Sequence, residues 1–170
     1  MGTSHPEGKD WILEKVKPIT GVKSILDIGA GEGTYYNLFK PLFPKAMFIG
    51  IEAWPPYAKK FNLAKKYDLL MLEDIRKCPI VWGCDIVVFG DVLEHMCRSQ
   101  AIALYAQYRE VSRYIVISLP IIHYEQGEVN NNHYEVHVVP DWTHEDVLKS
   151  FPGITTFFQG KKKGCYIART

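Results

Sequence analysis

Residues 24–36 read SILDIGAGEGTYY. Ile25, Leu26 and Ile28 form the short apolar run of a strand buried on both faces. Gly29, Gly31 and Gly33 follow at alternate positions, and Tyr35, Leu38, Phe39, Leu42 and Phe43 then recur at helical spacing. Strand, glycine turn and helix together open a nucleotide-binding α/β unit. The turn needs backbone angles that side chains oppose, and a ligand must approach the main chain closely.

The spacing G-x-G-x-G departs from the G-x-G-x-x-G dinucleotide fingerprint. Two positions before the first glycine stands Asp27. A carboxylate at the end of a buried strand is costly unless it meets a partner, and a cationic ligand group would serve. Outward from this unit, Asp10 to Lys17 reads as a short amphipathic helix ended by Pro18. Strands are expected at Lys23 to Ile28, Ala46 to Ile51, Asp68 to Leu72, Cys84 to Phe89 and Arg113 to Leu119. Helices are expected at Thr34 to Lys40 and Tyr57 to Lys66, the second with Pro55 and Pro56 in its first turn, and after Ser99 as a cap. Arg76 to Gly83 is too short and proline-marked for a crossover helix. Thr143 and Asp146 make a capping box for a last helix. Ile154 to Phe158 and Cys165 to Ala168 read as a terminal hairpin, with Lys161, Lys162 and Lys163 as its solvated tip.

The glycine turn with its acid resembles motif I of the class I S-adenosylmethionine-dependent methyltransferases. Gly90-Asp91-Val92-Leu93-Glu94-His95 resembles the D/E-V-L-E-H segment that follows the fourth strand in that family. The resemblance implies an α/β, Rossmann-like fold: a seven-stranded, mostly parallel sheet with helices on both faces and a C-terminal antiparallel hairpin. Residues 1–8 are expected to be a flexible N-terminus or cloning remnant, and the resemblance implies residues 9–170 as a single methyltransferase domain. The cofactor it implies is S-adenosyl-L-methionine, with S-adenosyl-L-homocysteine as product. Asp27, Gly29, Gly31 and Gly33 would meet its methionine part, Glu52 and Ala53 its ribose side, and Asp74 with the Ile75 backbone its adenine. Glu52 fits an NAD site equally well. Asp91 would serve both cofactor and acceptor.

Methyl transfer from a sulfonium is a direct displacement that requires an in-line acceptor, exclusion of water and, for a hydroxyl or protonated amine, a base. Asp91, His95 and His123 are the candidates by position. Glu94, His95 and His123 also resemble part of the divalent-cation site of ubiquinone-biosynthesis and small-RNA 2′-O-methyltransferases. D-V-L-E-H tracts occur in metal-free relatives too, and no metal is expected here. Ile121 to Asp141 shows no period and carries His123, Tyr124, Gln126, His133, Glu135 and His137. A connection of that length in a compact domain is a substrate wall or lid. His133-x-Glu135-x-His137 is a weaker cation candidate, because alternating polar residues also fit one face of a strand.

The chain has 170 residues, 47% of them hydrophobic, and a net charge of +1. That suits one globular domain and makes no bulk electrostatic case for nucleic acid. No apolar run approaches the ~20 residues of a membrane span, and none of the four cysteines forms a C-x-x-C pair. A cytoplasmic protein with reduced thiols is expected. The expected partner is a small-molecule or macromolecular methyl acceptor, with a small molecule or sugar favoured and oxygen or nitrogen as the methylated atom. The alternatives are a non-catalytic adenosyl-binding module and an NAD-dependent oxidoreductase.

Overall fold

The computed structural model describes residues 5–78 and 83–170. Five parallel strands are laid down first: β1 (Ser24–Ile28), β2 (Met47–Ile51), β3 (Leu69–Met71), β4 (Cys84–Gly90) and β5 (Ser112–Pro120). The terminal hairpin, β6 (Ile154–Gln159) and β7 (Lys163–Arg169), completes one seven-stranded sheet in the order β3-β2-β1-β4-β5-β7-β6. β7 pairs antiparallel with both β5 and β6. The strand order reverses between β1 and β4, so a crevice opens beyond their carboxyl ends.

Alternation along each strand feeds two apolar layers. Leu26, Ile28, Ile49, Val87, Phe89 and Ile115 pack with Tyr105, Tyr108 and Trp142 on one face. That face is covered by α4 (Arg98–Arg109) and α5 (His144–Ser150). Ile25, Phe48, Ile86, Val88 and Val116 face the other way, onto Ile12 and Val16 of α1 (Lys9–Val16) and Tyr35 and Phe39 of α2 (Thr34–Phe39). Both faces of β1 and β4 are therefore dry, which is why their sequences read as continuous apolar runs.

Most boundaries agree with the sequence reading to within a residue or two, and the Thr143–Asp146 capping box forms as expected. Three expectations change. The helix expected to reach Lys66 is α3 (Pro55–Lys60), because Asn62 takes a left-handed conformation (φ 51°) and restarts the chain as a single 3-10 turn at Leu63–Lys65. Helix α4 is capped at Cys97, not Ser99: the Cys97 N–H donates to Gln100 Oε1 at 3.3 Å. The lysine tip is not all solvated. Lys163 is only 3% exposed and its ammonium pairs with Asp91. The trimmed crossover falls partly on residues 79–82, outside the described residues; before them Ile75–Lys77 forms a 3-10 turn.

Glu7 ties the start of the described chain to the hairpin. Its carboxylate accepts the Lys161, Lys162 and Lys163 N–H groups at 2.8–2.9 Å, which holds its pKa below the usual range. Among the described residues, no helix is long and apolar enough to cross a membrane.

Candidate functional site

A cleft of about 510 Å³ lies over the carboxyl ends of β1, β2 and β4. That size suits a small-molecule or cofactor ligand. Its floor is the glycine turn. Gly29 has φ +71°, and a Cβ there would lie 2.4 Å from Val92. Gly31 has φ +52° but open space where its side chain would be, with nothing nearer than 3.7 Å, so a ligand can lie directly on the backbone.

One rim carries two acids. Glu52 is 5% exposed; it accepts the Gly31 N–H at 2.8 Å and the Trp54 N–H at 2.7 Å. Its carboxylate thus fixes the turn while keeping lone pairs for a ligand hydroxyl. Burial pushes its pKa up, against those two bonds. Asp74 is buried and caps the turn after β3 through the Arg76 N–H. Both of its oxygens also engage the Arg76 guanidinium, at 2.7–3.1 Å. Burial raises its pKa, but the Arg76 bonds outweigh that and leave it lowered, so Asp74 is ionised at neutral pH.

The opposite wall comes from the D-V-L-E-H tract and the long connection. Asp91 sits at φ +60°, a costly conformation for a non-glycine residue, and pairs with Lys163. Glu94 is 2% exposed and its Oε2 has no hydrogen-bond partner. Burial first, and then the Asp91 charge, raise its pKa to about 8. The Val138 and Val139 N–H groups both donate to the Glu94 carbonyl, at 2.9 and 3.0 Å, and so pin the connection against this tract. His137 is thereby set beside His95, ring centroids 5.0 Å apart. His95 Nδ1 lies 3.0 Å from the Val136 carbonyl, and His137 Nδ1 lies 2.7 Å from the Tyr124 carbonyl. A carbonyl only accepts, so both Nδ1 atoms carry a proton, and in the neutral ring Nε2 is then the atom with the lone pair. Burial lowers the His137 pKa, which keeps the ring neutral.

The cleft brings together Gly29, Gly31, Glu52, Ala53, Asp74, Ile75, Asp91, Glu94 and His95. It does not bring Asp27, Gly33 or His123 to its wall. Asp27 is 1% exposed behind the glycine turn, and its Oδ2 accepts the Tyr67 hydroxyl at 2.5 Å. Burial pushes its pKa up to about 7. Gly33 caps α2 in the left-handed conformation. His123 turns outward, its side chain 65% exposed and 3.5 Å from Glu125. Sequence reasoning gave no cleft role to Lys163 or Tyr57, both of which line it. The hydroxyls of Tyr35 and Tyr57, both in the cleft wall, have no hydrogen-bond partner, as Glu94 Oε2 has none. His137 had a signal, the alternation 133/135/137, but the backbone there is a 3-10 turn at His133–Glu135 and not a strand.

No protein-family model matches the sequence, and no curated protein matches it. Solved structures do. The N-terminal domain of EvdMO1 with SAH bound superposes with a TM-score of 0.71 at 13% identity, covering 98% of this chain and 82% of that one. The PH0226 protein from Pyrococcus horikoshii OT3 gives 0.67 at 14% identity, covering 97% and 92%. Magnesium protoporphyrin IX methyltransferase (ChlM) from Synechocystis PCC 6803 with bound SAH gives 0.65 at 14% identity, covering 96% and 83%. The likeness is one of fold: the chain has the Rossmann-like class I methyltransferase fold.

Proposed function

We propose that this protein is an S-adenosylmethionine-dependent methyltransferase acting on an oxygen or nitrogen atom of a small-molecule or sugar acceptor. The observation that carries the reading is the bare Gly29–Gly31 turn. It lies open to a cleft at the strand-order reversal and is braced by an acid, Glu52, that itself lines that cleft. Glu52 and Ala53 would take the ribose side and the Asp74 carboxylate with the Ile75 N–H the adenine. The glycine backbone would take the amino-acid tail. Asp27 supports the turn from behind.

S-adenosylmethionine bound there supplies a methyl group made electrophilic by its sulfonium. The chain must then hold the acceptor in line and keep water out. Tyr124, Gln126, Tyr134, Glu135 and His137 form the acceptor wall. His95 and His137, with Nδ1 committed to carbonyls, offer Nε2 to an acceptor O–H or N–H. Asp91 is held by Lys163, so it orders this corner rather than serving as a free base. Four free cysteines suit a cytoplasmic setting.

Calorimetry with S-adenosylhomocysteine, S-adenosylmethionine and NAD(H) tests the reading. Binding of the first two and not the third is expected. No heat with either adenosyl compound from demonstrably folded protein overturns it. Binding without turnover on any acceptor would leave the adenosyl-binding module in its place.

A further inference from the structure

We infer that the methyl acceptor is a small molecule carrying a protonated amino group, recognised by the carboxyl groups of Glu94 and Glu135. The inference rests on the methyltransferase reading and narrows its acceptor class. Both residues border the cleft. Glu94 Oε2 is buried and has no hydrogen-bond partner. An orphaned buried acceptor costs about 1–3 kcal/mol, and an N–H donor from a ligand removes that cost. Glu135 ends the 3-10 turn at His133–Glu135. The Gln126 side chain holds it there: Nε2 donates to the Glu135 carbonyl at 2.7 Å and to its Oε2 at 3.3 Å. That amide supplies no positive charge. Among the described residues, no lysine or arginine forms a salt bridge with either acid.

The charge around these two acids selects a cationic group. Burial raises the pKa values of Glu52, Glu94 and Tyr57, and the Glu135 charge adds to the rise in all three. One carboxylate therefore acts on three other groups that border the cleft. The nearby basic side chains are engaged elsewhere. Lys163 pairs with Asp91, and Arg76 with both oxygens of Asp74. Lys162 is exposed at the hairpin tip. An anionic acceptor group is repelled here, and a hydroxyl leaves the charge uncompensated. A protonated primary amine brings three N–H donors and the opposite charge, and Glu94 ionises against it. Hydrogen bonds between charged partners are roughly twice as strong as neutral ones.

The wall beside the acids describes the rest of the acceptor. Tyr124, His137 and His95 form a row of rings, with centroids 5.1 and 5.0 Å apart. One Glu94 oxygen lies within 4.8 Å of a ring nitrogen of each histidine, so the row ends at the acid. Ile122 and Tyr124 are exposed residues of the same cleft. Backbone carbonyls hold both imidazoles, and two N–H groups tie the loop to the Glu94 carbonyl. A fixed row of rings leading to an acid suits a flat ring body with an amine at one end. An ammonium nitrogen has no lone pair. It therefore anchors the acceptor, and a different atom takes the methyl.

Untagged full-length protein is loaded with S-adenosylhomocysteine, whose binding heat is recorded first, with a strong chelator in every buffer to keep metal ions out. Phenethylamine and glucosamine are then titrated at pH 7, each against its neutral counterpart, 2-phenylethanol or glucose. Ligand-observed NMR reads the binding. At least one amine should bind tenfold or more tighter than its counterpart. Glu94→Gln and Glu135→Gln should each cut that preference to threefold or less while S-adenosylhomocysteine still binds, and His123→Ala should keep it. Circular dichroism confirms that each variant is folded. Equal binding of amine and neutral counterpart overturns the inference, as does no amine binding at millimolar concentration. A preference that survives either glutamate substitution overturns it too. So does loss of S-adenosylhomocysteine binding in those variants, because the acids then serve the cofactor. Any of these failures in wild type that binds S-adenosylhomocysteine spares the methyltransferase reading; no S-adenosylhomocysteine heat from folded wild type removes that reading, whatever the amines do.

Discussion

Replacing Asp27 with Asn should make the protein progressively more stable than wild type as pH rises. Asp27 is fully buried, its hydrogen bond comes from a neutral hydroxyl, and its pKa stands at about 7 against 3.8 for an exposed side chain. Between those values the unfolded chain releases a proton that the folded chain keeps. Wild-type stability therefore falls as pH rises through that window, and the loss is complete above about pH 7. Three pH units correspond to about 4 kcal/mol, or on the order of 10 °C in Tm for a domain of this size. Asn has no proton to lose, so urea denaturation at pH 4, 5, 6, 7 and 8 should show the stability difference, Asp27→Asn minus wild type, climbing by about that amount. A constant offset from the new amide does not affect this slope. Parallel curves refute the reasoning, because they mean that the Asp27 charge is compensated. Saturating S-adenosylhomocysteine should leave the slope alone, since Asp27 does not reach the cleft. A slope that collapses only with ligand would put the ligand's ammonium at Asp27, as the sequence suggested.

Gly29→Ala should abolish S-adenosylhomocysteine binding and cost at least about 1–3 kcal/mol. The new methyl meets Val92 at 2.4 Å in a left-handed backbone; calorimetry and denaturation read both effects. Glu52→Ala leaves the Gly31 and Trp54 N–H groups without their acceptor. It should cost about 2–3 kcal/mol and lower ligand affinity tenfold or more, and a titration with unchanged affinity refutes the brace. Lys163→Met removes the ammonium that pairs with Asp91 and should cost about 1–3 kcal/mol. Adding Asp91→Asn should restore part of it, and a double-mutant cycle with no coupling refutes the pairing.

The parts of this molecule that sequence reveals are those whose cause is local. The run Ile25 to Ile28 and the glycines after it specify a strand and a turn without reference to anything distant, and the D-V-L-E-H tract sits where it does because β4 delivers it there. Asp27 was visible as an anomaly, a buried acid, but its partner Tyr67 lies 40 residues on, and neither periodicity nor spacing links them. Lys163 is the same case in reverse. In a run of three lysines nothing distinguishes the one that faces inward, and only the pairing of β7 with β5 turns it toward Asp91. The choice between His123 and His137 was least accessible, because the connection from Ile121 to Asp141 has no repeating pattern to fix its path. Its path is set by backbone groups: Val138 and Val139 donate to the Glu94 carbonyl and His137 donates to the Gln126 carbonyl. Any sequence with N–H groups at those positions could make these bonds, so they leave no mark on residue identity. What did leave a mark is chemistry without a structural use. A buried glutamate with a bare oxygen is expensive to keep in an apolar fold, and Glu94 carries that cost at the edge of the cleft.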